Sequence, residues 1–263
     1  MRNMFTKVAA AAAILAGAST GANAFVVMTL TDVNVTDSTF VTLTCSTLNA
    51  ATTAACAGAG FFVAGGGNIV TFGTSVGSGT IGDYTIVTTT GSSNSPGTPL
   101  VATTNRSQTE ATRNNSLDGD VHRLLVDFRA FDYSDPNGLF KTLSGSAGIT
   151  ANTGSFAALD SVTTFFSVDK DNLLAATTSV QCTLTPATNP LNESCGLGPV
   201  PWTDNGGLFS MSSIQQFDIA IGTTMNSTAN SAVRNVPEPM TTALIAVALL
   251  GVGLATRRGA KKA

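Results

Sequence analysis

From Val121 to Tyr133 the chain alternates in a way that only an extended strand can use. Leu124, Val126, Phe128 and Ala130 fall on one parity, and Leu125, Asp127, Arg129 and Phe131 on the other. Successive side chains of a strand point to opposite faces, so one face here is apolar and the other mixed, the pattern of a half-buried strand. The same residues on a helix would be spread around its circumference.

Shorter β-type runs occur elsewhere: Phe25–Thr31, Thr39–Thr44, Asn68–Ser75, Tyr84–Thr90, Val162–Val168, Val180–Thr185 and a last strand around Phe217, Ile219 and Ile221. Asp135-Pro136-Asn137-Gly138 predicts a turn that folds the long strand back on Leu139–Leu143 as a hairpin. Thr103–Gly119 is the most polar stretch and reads as a long loop or flap, and Asp169–Ala176 as one helical turn. Thr, Ser, Asn, Gly and Ala crowd the body while Lys and Glu are few, and the weight of Thr, Asn and Gly argues against long helices. Many short strands without a repeat predict an all-β fold, an antiparallel β-sandwich of jelly-roll type.

The two ends carry a different message. Arg2 and Lys7 precede an apolar run, Val8–Ala18, and Ala22-Asn23-Ala24 offers a small-x-small cleavage site, the plan of a secretory signal peptide. At the other end Val236-Pro237-Glu238-Pro239 leads into the uncharged run Met240–Thr256, followed by Arg257, Arg258, Lys261 and Lys262. As a helix that run would reach roughly 25 Å, the low end of a bilayer span, and the basic residues behind it favour the cytoplasmic side. The motif Pro237-Glu238-Pro239, the terminal helix containing Gly251 and Gly253, and the basic end together resemble the PEP-CTERM sorting signal of Gram-negative bacteria. The resemblance covers residues 236–263, and its basic tail is looser than the usual Arg cluster. It implies recognition by an exosortase, a transient anchor in the inner membrane, removal of the helix, and delivery of the body to the cell surface or beyond. The expected organisation is a signal peptide over 1–24, a β-sandwich over 25–225, a polar linker over 226–235 and the sorting signal over 236–263.

The overall charge of −3 conceals a more acidic body. Of the 13 Lys and Arg, seven lie in residues 25–235, against 15 of the 16 acids, which leaves the body near −8. Such a surface excludes nucleic acid as a partner. All of the four cysteines, Cys45, Cys56, Cys182 and Cys195, lie in the exported part, where disulfides persist. Local pairing, Cys45 with Cys56 and Cys182 with Cys195, closes two short loops; the close CxxC pairs that zinc favours are absent.

Sequences that look chemical are explained more simply. Gly73-Thr74-Ser75-Val76-Gly77 fits the nucleophile elbow but lacks the helix that must follow it. Gly77-Ser78-Gly79-Thr80-Ile81-Gly82 fits a dinucleotide fingerprint, yet the next segment is a strand, so it reads as a hairpin loop. His122 is the sole histidine and reads as a surface or partly buried residue. The groups Asp132/Asp135/Asn137, Asp118/Asp120 and Asp169/Asp171/Asn172 read as turn formers without the calcium loop pattern. N-x-S/T triplets, among them those at Asn34, Asn105 and Asn226, mark polar surface loops. Trp202, in a Pro/Gly loop, reads as cover for the core edge, with stacking on a sugar ring as the alternative.

No catalytic residue, cofactor or metal is expected. The sequence points to a non-enzymatic exported protein whose partners are signal peptidase and exosortase during export. Polysaccharide enters as a partner because the resemblance is associated with exopolysaccharide and biofilm. The alternative is a secreted carbohydrate-binding or hydrolytic carbohydrate-active β-sandwich.

Overall fold

The computed structural model describes residues 25–236 apart from 48–49, 67–68, 75–78, 94–100, 115–118, 135–139, 154–159, 171–177, 186–191 and 204–206. The signal peptide and the sorting signal, with Ala22, Ala24, Pro237, Glu238, Pro239, Arg257, Arg258, Lys261 and Lys262, lie outside these residues. So do Met240–Thr256 and the turn expected over 171–176. Among the described residues no helix is long and apolar enough to cross a membrane.

In chain order the elements are β1 (Val26–Asn34), β2 (Phe40–Ser46), α1 (Ala50–Gly58), β3 (Phe61–Gly66), β4 (Ile69–Thr74), β5 (Gly79–Ile81) and β6 (Tyr84–Thr90). There follow β7 (Val101–Arg113), β8 (His122–Tyr133), β9 (Phe140–Thr153), β10 (Ser161–Asp169), β11 (Thr178–Leu184), β12 (Asn192–Thr203), β13 (Phe209–Asp218) and β14 (Thr224–Asn235). Two six-stranded antiparallel sheets, β11-β10-β13-β8-β1-β2 and β12-β9-β14-β7-β6-β5, pack as a β-sandwich; β3 and β4 form a separate hairpin. From β7 onward the chain changes sheet at every step except β10 to β11.

The alternation in β8 does what the sequence requires. Leu124, Val126, Phe128 and Ala130 are buried in the interlayer core beside Met28 and Leu30 of β1 and Phe166 and Val168 of β10. Fully burying each large apolar side chain contributes about 1.5–3 kcal/mol. The second sheet meets this layer with large residues, Tyr84, Ile86, Leu143, Ile149 and Met225, and with small ones, Ala111, Ala147 and Ala229, on its central strands. At Gly145 of β9 a Cβ would overlap the ring of Phe166, so the aromatic side chains of one sheet rest on bare backbone of the other.

Both expected disulfides are present, Cys45–Cys56 and Cys182–Cys195. The first ties β2 to α1, a short helix that the sequence reading treated as loop. Five of its nine residues are Ala, the strongest helix former, and a nearby disulfide holds it in place.

Three expectations are corrected. Residues 226–235 are not a linker: they belong to β14, which pairs with β7 on one side and β9 on the other. The stretch after Thr103 is likewise mostly strand, β7, to Arg113. Nor do β8 and β9 form a hairpin: they lie in opposite sheets, and β9 pairs with β12 and β14. The turn sequence 135–138 itself lies outside the described residues. A chain reversal predicts a return, and the return here crosses the sandwich instead of adding to the same sheet.

Candidate functional site

The inner face of β1 runs Val26, Met28, Leu30, Asp32, Asn34, so the core turns polar at one end of the sandwich. The β1–β8 ladder pairs Asn34 with His122 and Asp32 with Leu124. Asp32 and His122 are therefore diagonal neighbours on one face. Asp32 is 3% and His122 8% exposed. His122 Nδ1 lies 3.0 Å from both Asp32 carboxylate oxygens.

The third member arrives from the other sheet. Ile81 and Tyr84 pair across a two-residue hairpin, Gly82-Asp83, with Gly82 at a φ of 52°. Glycine takes this left-handed conformation without steric cost. It is needed for a second reason: a Cβ on Gly82 would fall on the Asp32 carboxylate. The hairpin comes close enough for the Asp83 backbone N–H to donate to Asp32 Oδ2 at 2.8 Å, and Asp83 Oδ2 lies 3.5 Å from His122 Nε2. Among the described residues, Asp83 Oδ2 is buried and accepts no hydrogen bond. Asp32, Asp83 and His122 can each place one ligand atom within 4.8 Å of the others.

The surroundings are polar and satisfied largely through the backbone. Tyr84, fully buried, donates its hydroxyl to the His122 carbonyl at 2.9 Å. Burial pushes its phenol well above the ordinary tyrosine range; Asp32 and Asp218 add to the shift and Arg113 opposes it. Arg113, at the end of β7, donates to the carbonyls of Ile219 at 3.2 Å and Asp120 at 2.6 Å. Asn34 donates to Asp120 Oδ2 at 2.7 Å and accepts from the backbone of Thr36 at 2.9 Å. Asn34 is thus the buried anchor of an exposed turn over Val35 and Thr36, as expected, whereas Asn105 and Asn226 lie within β7 and β14, so those two triplets are not surface loops.

His122 is accordingly not a surface residue. Its signal was weak in sequence because Asp32 lies 90 residues away and Asp83 comes from a Gly-rich turn. Of the expected hairpin loop Gly77–Gly82, Gly79–Ile81 is strand β5 and only Gly82 belongs to the turn, while Gly77, Ser78 and Ser75 of the elbow-like motif lie outside the described residues. Of the acidic groups, Asp120 receives Asn34, Asp132 and Asp169 are buried separately, and Asp118, Asp135, Asn137, Asp171 and Asn172 lie outside the described residues.

A second feature is open to solvent. On the outer face of the second sheet a trough of about 210 Å³ is lined by Gly148 and Thr150 of β9, Glu193 and Ser194 of β12, and Asn226 and Thr228 of β14. The registers pair Gly148 with Ser194 and Thr228, and Thr150 with Asn226, so hydroxyls and an amide stand on both sides of a glycine floor. Gln108, Thr112, Thr88 and Thr90 continue this half-exposed face across β7 and β6. It offers many neutral donors and acceptors and also carries the carboxylates Glu193 and Glu110.

Trp202 belongs to neither feature. It is 6% exposed, meets Phe209 edge-on at 5.4 Å and has Lys141 Nζ 5.5 Å from its ring, so it covers the core and presents no platform to a ligand. Tyr133, at the same end, is buried and bonds Ser93; burial raises its phenol and the bond opposes that rise.

No protein-family model matches the chain, and no curated protein matches it. Among solved structures, TmCBM61 in complex with beta-1,4-galactotriose is 8% identical over 51% of this chain and 88% of that one, with a TM-score of 0.25. The VP2 subviral particle of infectious bursal disease virus is 9% identical over 82% of this chain and 65% of that one, with a TM-score of 0.19. Neither superposition is close enough to carry an argument.

Proposed function

We propose that the chain is an exported, non-enzymatic cell-surface or matrix protein, sorted by an exosortase, whose β-sandwich holds neutral polysaccharide against the outer face of its second sheet. The observation that carries the binding part is the trough over Gly148, walled by Ser194, Asn226 and Thr228. Alternating hydroxyl and amide groups match a ligand that is itself a dense array of hydroxyls, and an acidic body disfavours polyanions. Its volume is below the ~300–1,000 Å³ of pockets that enclose whole ligands. Each contact is therefore weak, and retention on a polymer comes from repeated engagement. We read the last eight strands as a jelly roll, a scaffold that leaves such a face open; the order of sheet changes from β7 to β14 supports this.

The hydrolytic alternative needs two carboxylates flanking a scissile bond. Asp32 and Asp83 instead converge on one imidazole between the sheets. The sorting part rests on residues 236–263 and is supported by two disulfides, which suit an oxidising compartment.

Co-sedimentation of the full chain with insoluble neutral and anionic polysaccharides tests the binding. Retention on a neutral polymer that is lost in Asn226→Ala/Thr228→Val, with thermal stability unchanged, supports it; no retention on any neutral polymer refutes it. Intact mass of the cell-associated and released forms tests the sorting, which a mature form retaining residues 240–263 would sink.

A further inference from the structure

The buried end of the sandwich holds an arrangement that polysaccharide binding does not use. We infer that His122 and Asp83 bind a divalent first-row transition ion, with Asp32 as the carboxylate that orients the imidazole, and that this ion fastens the β5–β6 hairpin to the first sheet.

His122 Nε2 and Asp83 Oδ2 are 3.5 Å apart. That is long for a charge-assisted hydrogen bond, typically about 2.7–2.9 Å. It is close to the separation of neighbouring ligand atoms around a tetrahedral ion with bonds of about 2.0–2.1 Å, which is roughly 3.3 Å. Among the described residues, Asp83 Oδ2 is buried and accepts no hydrogen bond, with His122 Nε2 facing it at 3.5 Å. A buried carboxylate oxygen without a donor is costly, and an ion is one of the few things that satisfies it.

The far side of the ring has the matching partner. Asp32 meets Nδ1 at 3.0 Å through both oxygens, the carboxylate–histidine arrangement that fixes the tautomer and turns the other nitrogen toward a metal. Asp32 is held in turn by the Asp83 N–H, and Gly82 leaves the space its carboxylate occupies. The Asp83 side chain is 21% exposed although its Oδ2 is buried, so the pair lies just beneath the surface. One imidazole nitrogen with carboxylate oxygen suits zinc-class ions; calcium, which takes six to eight oxygens, is poorly served.

The test uses the untagged full chain with its disulfides oxidised, stripped with chelator and then titrated with Zn²⁺, Ca²⁺ or Co²⁺ alone. Zn²⁺ at about a hundredfold excess over its Kd is expected to raise Tm by about 5–10 °C. Ca²⁺ is expected to leave Tm unchanged, and Co²⁺ to develop visible ligand-field absorption. Asp83→Asn, which keeps the shape of the hairpin, and His122→Gln are each expected to abolish both the Zn²⁺ shift and the Co²⁺ spectrum. If His122→Gln does not fold, Asp83→Asn decides. The inference is overturned if Zn²⁺ gives no shift, if Ca²⁺ stabilises equally, or if the Zn²⁺ shift survives undiminished in Asp83→Asn. A polysaccharide result of either sign leaves this test unaffected, because the trough lies on the outer face of the second sheet.

Discussion

Replacing Asp32 by alanine probes how the two sheets are joined at their polar end. The carboxylate accepts from the Asp83 N–H at 2.8 Å and from His122 Nδ1 at 3.0 Å, at a position only 3% exposed. Hydrogen bonds to a charged group contribute about 1.5–3 kcal/mol each. Alanine also leaves His122 Nδ1 and the Asp83 N–H buried beside an apolar methyl, and each buried donor that loses its acceptor typically costs about 1–3 kcal/mol. The expected loss is therefore about 4 kcal/mol. With a urea m-value near 3 kcal/mol/M this moves the unfolding midpoint down by about 1–1.5 M, and at 2–4 °C per kcal/mol lowers Tm by about 10 °C. The assay is equilibrium urea unfolding of the full chain with chelator present, so that no bound cation enters the comparison. Asp32→Ala, His122→Ala and the double variant complete a thermodynamic cycle, with an expected coupling of about 1.5–3 kcal/mol. A loss below about 1 kcal/mol, or additivity within about 0.5 kcal/mol, would refute the reasoning, because the sheets would then be joined by something other than this carboxylate.

Gly82→Ala should cost at least about 2 kcal/mol, since it adds left-handed strain and drives a methyl into the Asp32 carboxylate; urea unfolding reads it, and a loss no greater than that of an exposed Gly→Ala change contradicts the close approach. The chain has two tyrosines, Tyr84 and Tyr133, and burial raises both phenols in the folded state. Above pH ~10 the unfolded chain therefore releases protons that the native one keeps, and stability should fall by up to about 2.7 kcal/mol per pH unit until alkaline unfolding. Ultraviolet titration should show no phenolate band at pH ~11 while near-ultraviolet circular dichroism stays native; a band under those conditions counts against the buried placement. Cys182→Ser/Cys195→Ser opens a loop with a separation of 13 residues and should lower stability by about 3 kcal/mol, read by thermal unfolding; an unchanged Tm would show that the bridge ties down nothing that unfolding releases.

Strands whose two faces differ were legible as sequence. β8 declared itself because Leu124, Val126 and Phe128 are large and Asp127 and Arg129 are charged. β7 and β14 did not, although both lie in the middle of a sheet. Arg113, Met225 and Val233 are buried towards their ends, and the buried positions between are Thr109 and Ala111, and Ser227, Ala229 and Ser231. These residues are small because Phe128, Phe166 and Phe217 of the opposite sheet already fill the space between layers. A strand that faces rings with threonine, serine and alanine, and faces water with threonine and asparagine, shows no amphipathic alternation and looks like a linker. Ser227 even bonds Gln215 of the facing sheet at 2.9 Å, a contact no local pattern encodes.

What the chain settled by itself is local: a β body rich in Thr, Ser, Asn and Gly, two short-range disulfides, and ends that resemble export and sorting signals. Pairing cysteines 11 and 13 residues apart needs little knowledge of topology. The tertiary structure alone decided which strands are central, where the chain crosses between sheets, and that Asp32, Asp83 and His122 meet. The reason is the geometry of a sandwich. Its interior is assembled from opposite sheets and from residues as much as 90 positions apart, so both the small partners of large rings and the carboxylates around one imidazole acquire their meaning only when the layers close.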